Sequence, residues 1–178
     1  MDESGNGCHL AAFRWIDAAI LPSASGQCLT SPMPWVVRRA LPADADAIAA
    51  LFARSRAASM PWLPVLHAPD EDREYFAGEV RDATGWLVEE AGRVLGVAVA
   101  RPGWLSHLYV DVDCQGRGVG TALLDRVVQD AGPGLRAWAF QRNYRARAFY
   151  SARGFVEVDR TDGSGNEERT PDVLLQRG

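Results

Sequence analysis

Residues Leu105 to Gly120 read LSHLYVDVDCQGRGVG. An apolar strand leads into a short turn. Gln115-Gly116-Arg117-Gly118-Val119-Gly120 then runs directly into a helical pattern. The first N–H groups of a helix lack intrahelical acceptors and carry a partial positive charge, so a helix start holds anionic phosphate. Glycine lets that backbone approach a ligand closely. Two readings follow: a pyrophosphate site between strand and helix, or only a tight turn.

The spacing excludes the commoner phosphate loops. A dinucleotide fingerprint needs a third glycine where this chain has Thr121. A Walker A loop needs Gly-Lys, and this chain has no lysine: all 19 basic residues are arginine. P-loop ATP hydrolysis and Schiff-base chemistry are both excluded. What remains is Q/R-x-x-G-x-G/A. A second block lies downstream, with Asn143, Ala146, Phe149, Tyr150, Gly154 and Phe155 forming N-x-x-A-x-x-F-Y-x-x-x-G-F. Its apolar residues recur at helical spacing. Asn143 suits an N-cap and Gly154 a left-handed helix end. The two motifs, in this order, resemble the GNAT N-acetyltransferase superfamily. The resemblance covers roughly residues 35 to 176.

Composition agrees with one soluble domain. The 178 residues are 47% hydrophobic and 24% charged, with net charge −4. The acidic balance argues against a nucleic-acid surface. The charge is uneven, because Cys114 to Arg153 holds seven arginines and two aspartates. That basic stretch coincides with the phosphate loop. The acidic remainder suits a cationic substrate or simply a solvated surface. Cys8, Cys28 and Cys114 have neither metal nor redox spacing, and an odd count argues against a disulfide framework. A reducing cytoplasm is the expected compartment. No apolar run reaches 18 residues, so no membrane span is expected. The first residues make a poor signal peptide.

Met1 to Pro34 reads as a mobile extension with a short helical run at Leu10–Leu21, ahead of a domain over residues 35–178. Strands are expected at Trp35–Arg39, Gly85–Glu89, Arg93–Ala100, Gly103–Val110, Leu135–Phe140, Phe155–Val158 and Asp172–Gln176. Helices are expected at Asp44–Ser55, at Asp70–Val80 with Asp70 as cap, at Gly118–Asp130 and at Asn143–Arg153. This order is that of the GNAT fold. The resemblance implies an α/β architecture: a mixed sheet of about seven strands, its fourth and fifth splayed apart, flanked by about four helices.

The same resemblance implies the chemistry. Acetyl-CoA would be the acyl donor, with no metal, and an amine of a small molecule or peptide the acceptor. The pantetheine arm would lie in the split against the backbone of Leu108, Tyr109 and Val110. The pyrophosphate would meet Gln115, Gly116, Arg117, Gly118, Val119, Gly120 and then Thr121. Tyr150 matches the family's frequent general acid, and a tyrosine of pKa about 10 can protonate a departing thiolate. Its other reading is a helix tyrosine half in the core. Asn143 reads either as a contact to the cofactor arm or as a plain helix cap. Related enzymes often carry a Glu or His base on the fourth strand, at positions that here hold Ser106 and Trp104. His107 alternates to the opposite face from these. Glu89, Glu90, His67 or a water chain are the other candidates for the base. A non-catalytic CoA-binding module with the same fold stands as the alternative function, and monomer and homodimer are both open.

Overall fold

The computed structural model describes residues 34–178. The segment before Pro34, with the helix expected at Leu10–Leu21, lies outside the described residues. The chain order is β1 (Val36–Arg39), α1 (Ala45–Ser59), α2 (Pro69–Asp82), β2 (Thr84–Glu90), β3 (Arg93–Arg101) and β4 (Trp104–Val110). It continues through α3 (Val119–Ala131), β5 (Arg136–Phe140), α4 (Tyr144–Ser151), β6 (Phe155–Thr161) and β7 (Asp172–Arg177). The strands form one sheet in the order β1-β2-β3-β4-β5-β7-β6. The expected GNAT architecture is present: a mixed seven-stranded sheet with four flanking helices.

Two apolar clusters make three layers. On one face α1 and α2 bring Ile48, Leu51, Phe52 and Phe76 against Leu87, Val97, Val99 and Tyr109. On the other, α3 and α4 bring Leu123, Val127, Phe149 and Tyr150 against Ala98, Leu108 and Val110. Strand β4 is covered on both faces, so residues Leu105 to Val110 are all buried. This is why its sequence is nearly continuous in apolar residues rather than alternating. Each fully buried Leu or Val contributes about 1.5–3 kcal/mol.

Several boundaries differ from the sequence reading, for local reasons. Helix α1 runs one turn past Ser55, because Arg56–Ser59 are competent helix formers and the chain is stopped only by Pro61. Helix α2 starts at Pro69 rather than Asp70. Proline at the first helical position has its φ preset and lacks only an N–H that would be orphaned anyway. The side chain that closes this end is Glu71, which accepts the Ala68 N–H at 2.7 Å. Strand β6 continues to Thr161 through a bulge between Glu157 and Asp159, which resets the alternation.

The central feature is the junction of β4 with β5. These strands are parallel and pair at one position, Trp104 with Arg136. Beyond it they diverge, so the β5-facing backbone edge of β4 opens into a wedge. A bulge in the β3–β4 ladder lies at Ser106, where Val99 pairs with His107 but Ala100 pairs with Leu105. It bends β4 where the wedge begins.

Candidate active site

The wedge leads up to the glycine loop over residues 115–120. Strand β4 is followed by Asp111, whose side chain is 1% exposed and lies 2.9 Å from Arg54 and 3.0 Å from Arg93. Its carboxylate also accepts the Asp113 N–H at 3.2 Å. Burial alone would raise the pKa of this carboxyl, but the two guanidinium bonds outweigh it and hold the pKa below the usual carboxylate range. The clamp pins the exit of β4 and starts the 3₁₀ turn Val112–Cys114.

Gly116 and Gly118 both have φ of 87°, the left-handed region that other residues adopt only with strain. Left-handed glycines of this kind build backbone concavities, or nests, that suit an anion; between the two, the Arg117 N–H donates to the Cys114 carbonyl at 3.4 Å. Gly118 is also the N-cap of α3, and the first helical bond runs from Ala122 N–H to its carbonyl. The N–H groups of Val119, Gly120 and Thr121 therefore belong to the unpaired first turn. No acidic residue occupies that turn. Gln115 adds a buried Nε2 with no hydrogen-bond partner among the described residues. These residues fit a diphosphate. A Cβ at Gly120 would stand 3.4 Å from Val110 and 3.5 Å from Phe149, ordinary contact distances, so packing alone does not demand glycine there. Arg117 reaches Glu90 on the β2–β3 hairpin at 2.7 Å. Thr121 accepts from Arg153, in the turn after α4. The Arg153 guanidinium stacks 3.8 Å over Phe149, and burial lowers its basicity.

The three β4 residues divide by register. Asp111 N–H donates to Leu95 carbonyl, and Tyr109 pairs with Val97. Hydrogen-bonded pairs alternate along an antiparallel ladder, so the Tyr109 backbone belongs to β3 while the N–H groups of Leu108 and Val110 point into the wedge. The Tyr109 ring packs edge-on against Phe52, 5.0 Å away, beneath α1. Val110 carbonyl accepts Ser55 Oγ at 3.1 Å.

Tyr150 is fully buried, with its ring 5.2 Å from Phe149 and 5.0 Å from Phe155. Asn143 caps α4: its Oδ1 accepts the Ala146 N–H at 3.1 Å, and its amide donates to Met60 Sδ at 3.5 Å. Met60, with Leu63 and Phe140, fastens the α1–α2 loop over the end of β5. Sequence reading missed this loop anchor, because its partners are 83 residues apart.

The alternative bases are dispersed. His107 is buried on the α2 side, 3.1 Å from Tyr75 Oη and 3.4 Å from Glu79. Glu89 pairs with Arg38 and Glu90 with Arg117. His67 pairs with Glu167 at 3.1 Å, joining the α1–α2 loop to the β6–β7 loop. Beside it, Arg56 bonds Glu168 at 2.9 Å with both side chains largely out of water. A cavity of about 360 Å³ opens here, walled by Phe52, Met60 and Leu63 with Arg56, His67 and Asp72.

A parallel strand pair joined at one position, with a glycine-flanked helix start at its open end, is the arrangement of the GNAT type. The family model for an acetyltransferase (GNAT) domain matches residues 81–157. The chain is 30% identical over 125 residues to the peptidyl-lysine N-acetyltransferase YiaC of Escherichia coli (strain K12), covering 70% of this chain and 85% of that one. It is 34% identical over 86 residues to the mycothiol acetyltransferase of Rhodococcus jostii (strain RHA1), spanning 28% of that protein. Among solved structures, a GCN5-related N-acetyltransferase from Rhodopseudomonas palustris superposes with a TM-score of 0.71 at 26% identity, over 86% of this chain and 99% of the other. The chain belongs to the GNAT family of acetyltransferases, and its activity is that of an N-acetyltransferase.

Proposed function

We propose that the protein moves an acetyl group from acetyl-CoA directly to a primary amine of a peptide or small molecule. The observation that carries this reading is the wedge between β4 and β5, closed at one end by the Trp104–Arg136 pair and open at the other toward the glycine loop. Bound there, acetyl-CoA supplies an activated acyl carbon. The residues of the chain do the rest. The N–H groups of Gln115 to Thr121 hold the diphosphate, with Arg117 released from Glu90 to assist. Leu108 N–H, aimed into the wedge, donates to the carbonyl oxygen and favours charge developing there. The neutral amine nitrogen bonds the acyl carbon as the carbon–sulfur bond breaks. The amine gives up a proton to solvent, and Tyr150 gives one to the sulfur.

The acceptor would approach from the α1–α2 and β6–β7 loops, which His67 and Arg56 tie together through Glu167 and Glu168. The YiaC relative acts on peptidyl-lysine, which makes lysine-containing peptides the first acceptors to try. The test is release of free thiol from acetyl-CoA over a library of peptide and small amines. Acceptor-dependent release that disappears with the Gly118→Val change supports the reading. Donor binding without release for any amine would refute it.

A further inference from the structure

A second cavity, of about 570 Å³, lies on the flank of α4 away from the phosphate loop. Its charged lining residues are Arg142, Arg147 and Arg160; no carboxylate lines it among the described residues. Glu157 stands behind it and is shared by Arg147 and Arg160, each at 2.5 Å. One carboxylate between two guanidiniums leaves the trio with two positive charges in excess, on a chain whose net charge is −4. Arg142 has no carboxylate partner among the described residues, and its guanidinium lies 5.2 Å over the Trp62 ring. Arg147 lies 5.7 Å over Tyr144, a ring 71% exposed. Stacking on a ring restrains a guanidinium plane and leaves the N–H edge of Arg142 available to an in-plane oxyanion, whereas Arg147 contributes charge only, its N–H groups being held by Glu157 and the Gln141 carbonyl. Gln141 offers its side chain to Thr161 and Asp172 carbonyls and so fixes the floor.

The location gives the cavity its meaning. Trp62 packs edge-on to Phe140, the last residue of β5, at the open end of the wedge. The cavity begins with the next two residues, Gln141 and Arg142. On the far flank of α4, Arg153 meets Thr121 beside the diphosphate loop. The cavity is thus separate from the donor's phosphate site and adjacent to the acceptor's approach.

We propose that this cavity is a second anion site, which holds a carboxylate or phosphate carried by the acceptor. It rests on the function proposed above and names a class within it: amines with an acidic group close by. An extended peptide advances about 3.5 Å per residue. An acid a few positions from the modified amine would lie on the side of the arginines.

The test uses the full chain and three matched lysine peptides that differ at one flanking position: glutamate, phosphoserine or glutamine. The glutamate or phosphoserine peptide should have kcat/KM at least tenfold above the glutamine peptide, and whichever is higher identifies the anion. In the Arg142→Gln, Arg160→Gln protein that ratio should fall toward one, while kcat/KM for the glutamine peptide stays within about twofold. Arg142→Lys with Arg160→Lys should restore part of the preference. If the double glutamine protein does not fold, Arg142→Gln alone, which removes only a contact to the Trp62 ring, should lower the ratio. Equal use of all three peptides by the wild type would overturn the proposal. A calorimetric titration separates this outcome from failure of the acetyltransfer reading. Inorganic phosphate and glutarate are added to protein saturated with CoA, which occupies the diphosphate loop. Saturable binding of either anion that the double variant loses supports the site even if no peptide is acetylated; no binding overturns it.

Discussion

Tyr150 lies wholly out of water between Phe149 and Phe155, so its ring and its hydroxyl must be judged separately. Tyr150→Phe keeps the ring. If the hydroxyl protonates the leaving thiolate, turnover with saturating acceptor should fall by about 10²–10⁴-fold. The melting temperature and the affinity for acetyl-CoA should hardly move. Single-turnover kinetics would reveal a chemical step hidden by slow product release. Wild-type rates in that measurement would make Tyr150 a core residue only. Asp111 carries the opposite kind of prediction, one of stability. Its folded pKa is depressed, so it stabilises the fold above the unfolded value of about 3.9 and loses that contribution as the pH falls through the folded value. Asp111→Asn should cost about 1–3 kcal/mol in urea unfolding at pH 7. The gap between the two proteins should close on acidification below pH 4. What could be read at this scale from the chain was whatever depends on neighbours in sequence. Asn143 three residues before Ala146 is a cap in any context, and it is one here. The Arg54–Asp111–Arg93 clamp and the Met60–Asn143 contact join residues brought together only by the sheet, and no local pattern announces them. The lack of lysine was also plain. It means that no side-chain amine of this chain competes with the acceptor.

The glycine loop before α3 was legible as an element because its requirements are backbone requirements. Left-handed φ at Gly116 and Gly118 selects glycine, and the sequence shows glycine. Gly118→Val should therefore lose CoA affinity by at least tenfold, because a β-branched residue resists φ of 87° and deforms the nest. Gly118→Asn is the informative companion, since asparagine tolerates the left-handed region and caps helices. It should retain most of the affinity in a calorimetric titration. Equal affinity for the valine protein, with an unchanged melting curve, would place the diphosphate elsewhere. Bulges were not legible. The extra residue at Ser106 sets Leu105 and Leu108 together on the α3 and α4 face, although their spacing in an unbroken strand would part them. The alternation used to compare Trp104, Ser106 and Leu108 therefore fails at Ser106. It holds between His107 and Leu108, which do face opposite layers. The same kind of defect after Glu157 hid the second half of β6. The start of α2 was misplaced by one residue for a simpler reason: aspartate is a good cap, but a proline ahead of it already begins the helix.

At the scale of the molecule the sheet is two ladders. One runs β1-β2-β3-β4 and the other β5-β7-β6, and Trp104–Arg136 is the pairing between them. This architecture could be read only through the family resemblance, since neither composition nor periodicity says where a parallel pair will part. The residues that build both ladders all lie after residue 35. A protein beginning at Pro34 should therefore bind acetyl-CoA as the full chain does, and calorimetry on the two compares them directly. Lost affinity in the shorter protein would give the first 33 residues a part in the site. The split has a further consequence, in the timing of amide exchange with heavy water. Without donor, protection along β4 should alternate residue by residue. The His107 and Tyr109 amides, held by β3, should exchange slowly, and those of Leu108 and Val110, facing the gap, quickly. A donor arm lying between the ladders would act as an eighth strand without side chains. On its binding the alternation should vanish, and both halves of the sheet should begin to exchange as one body.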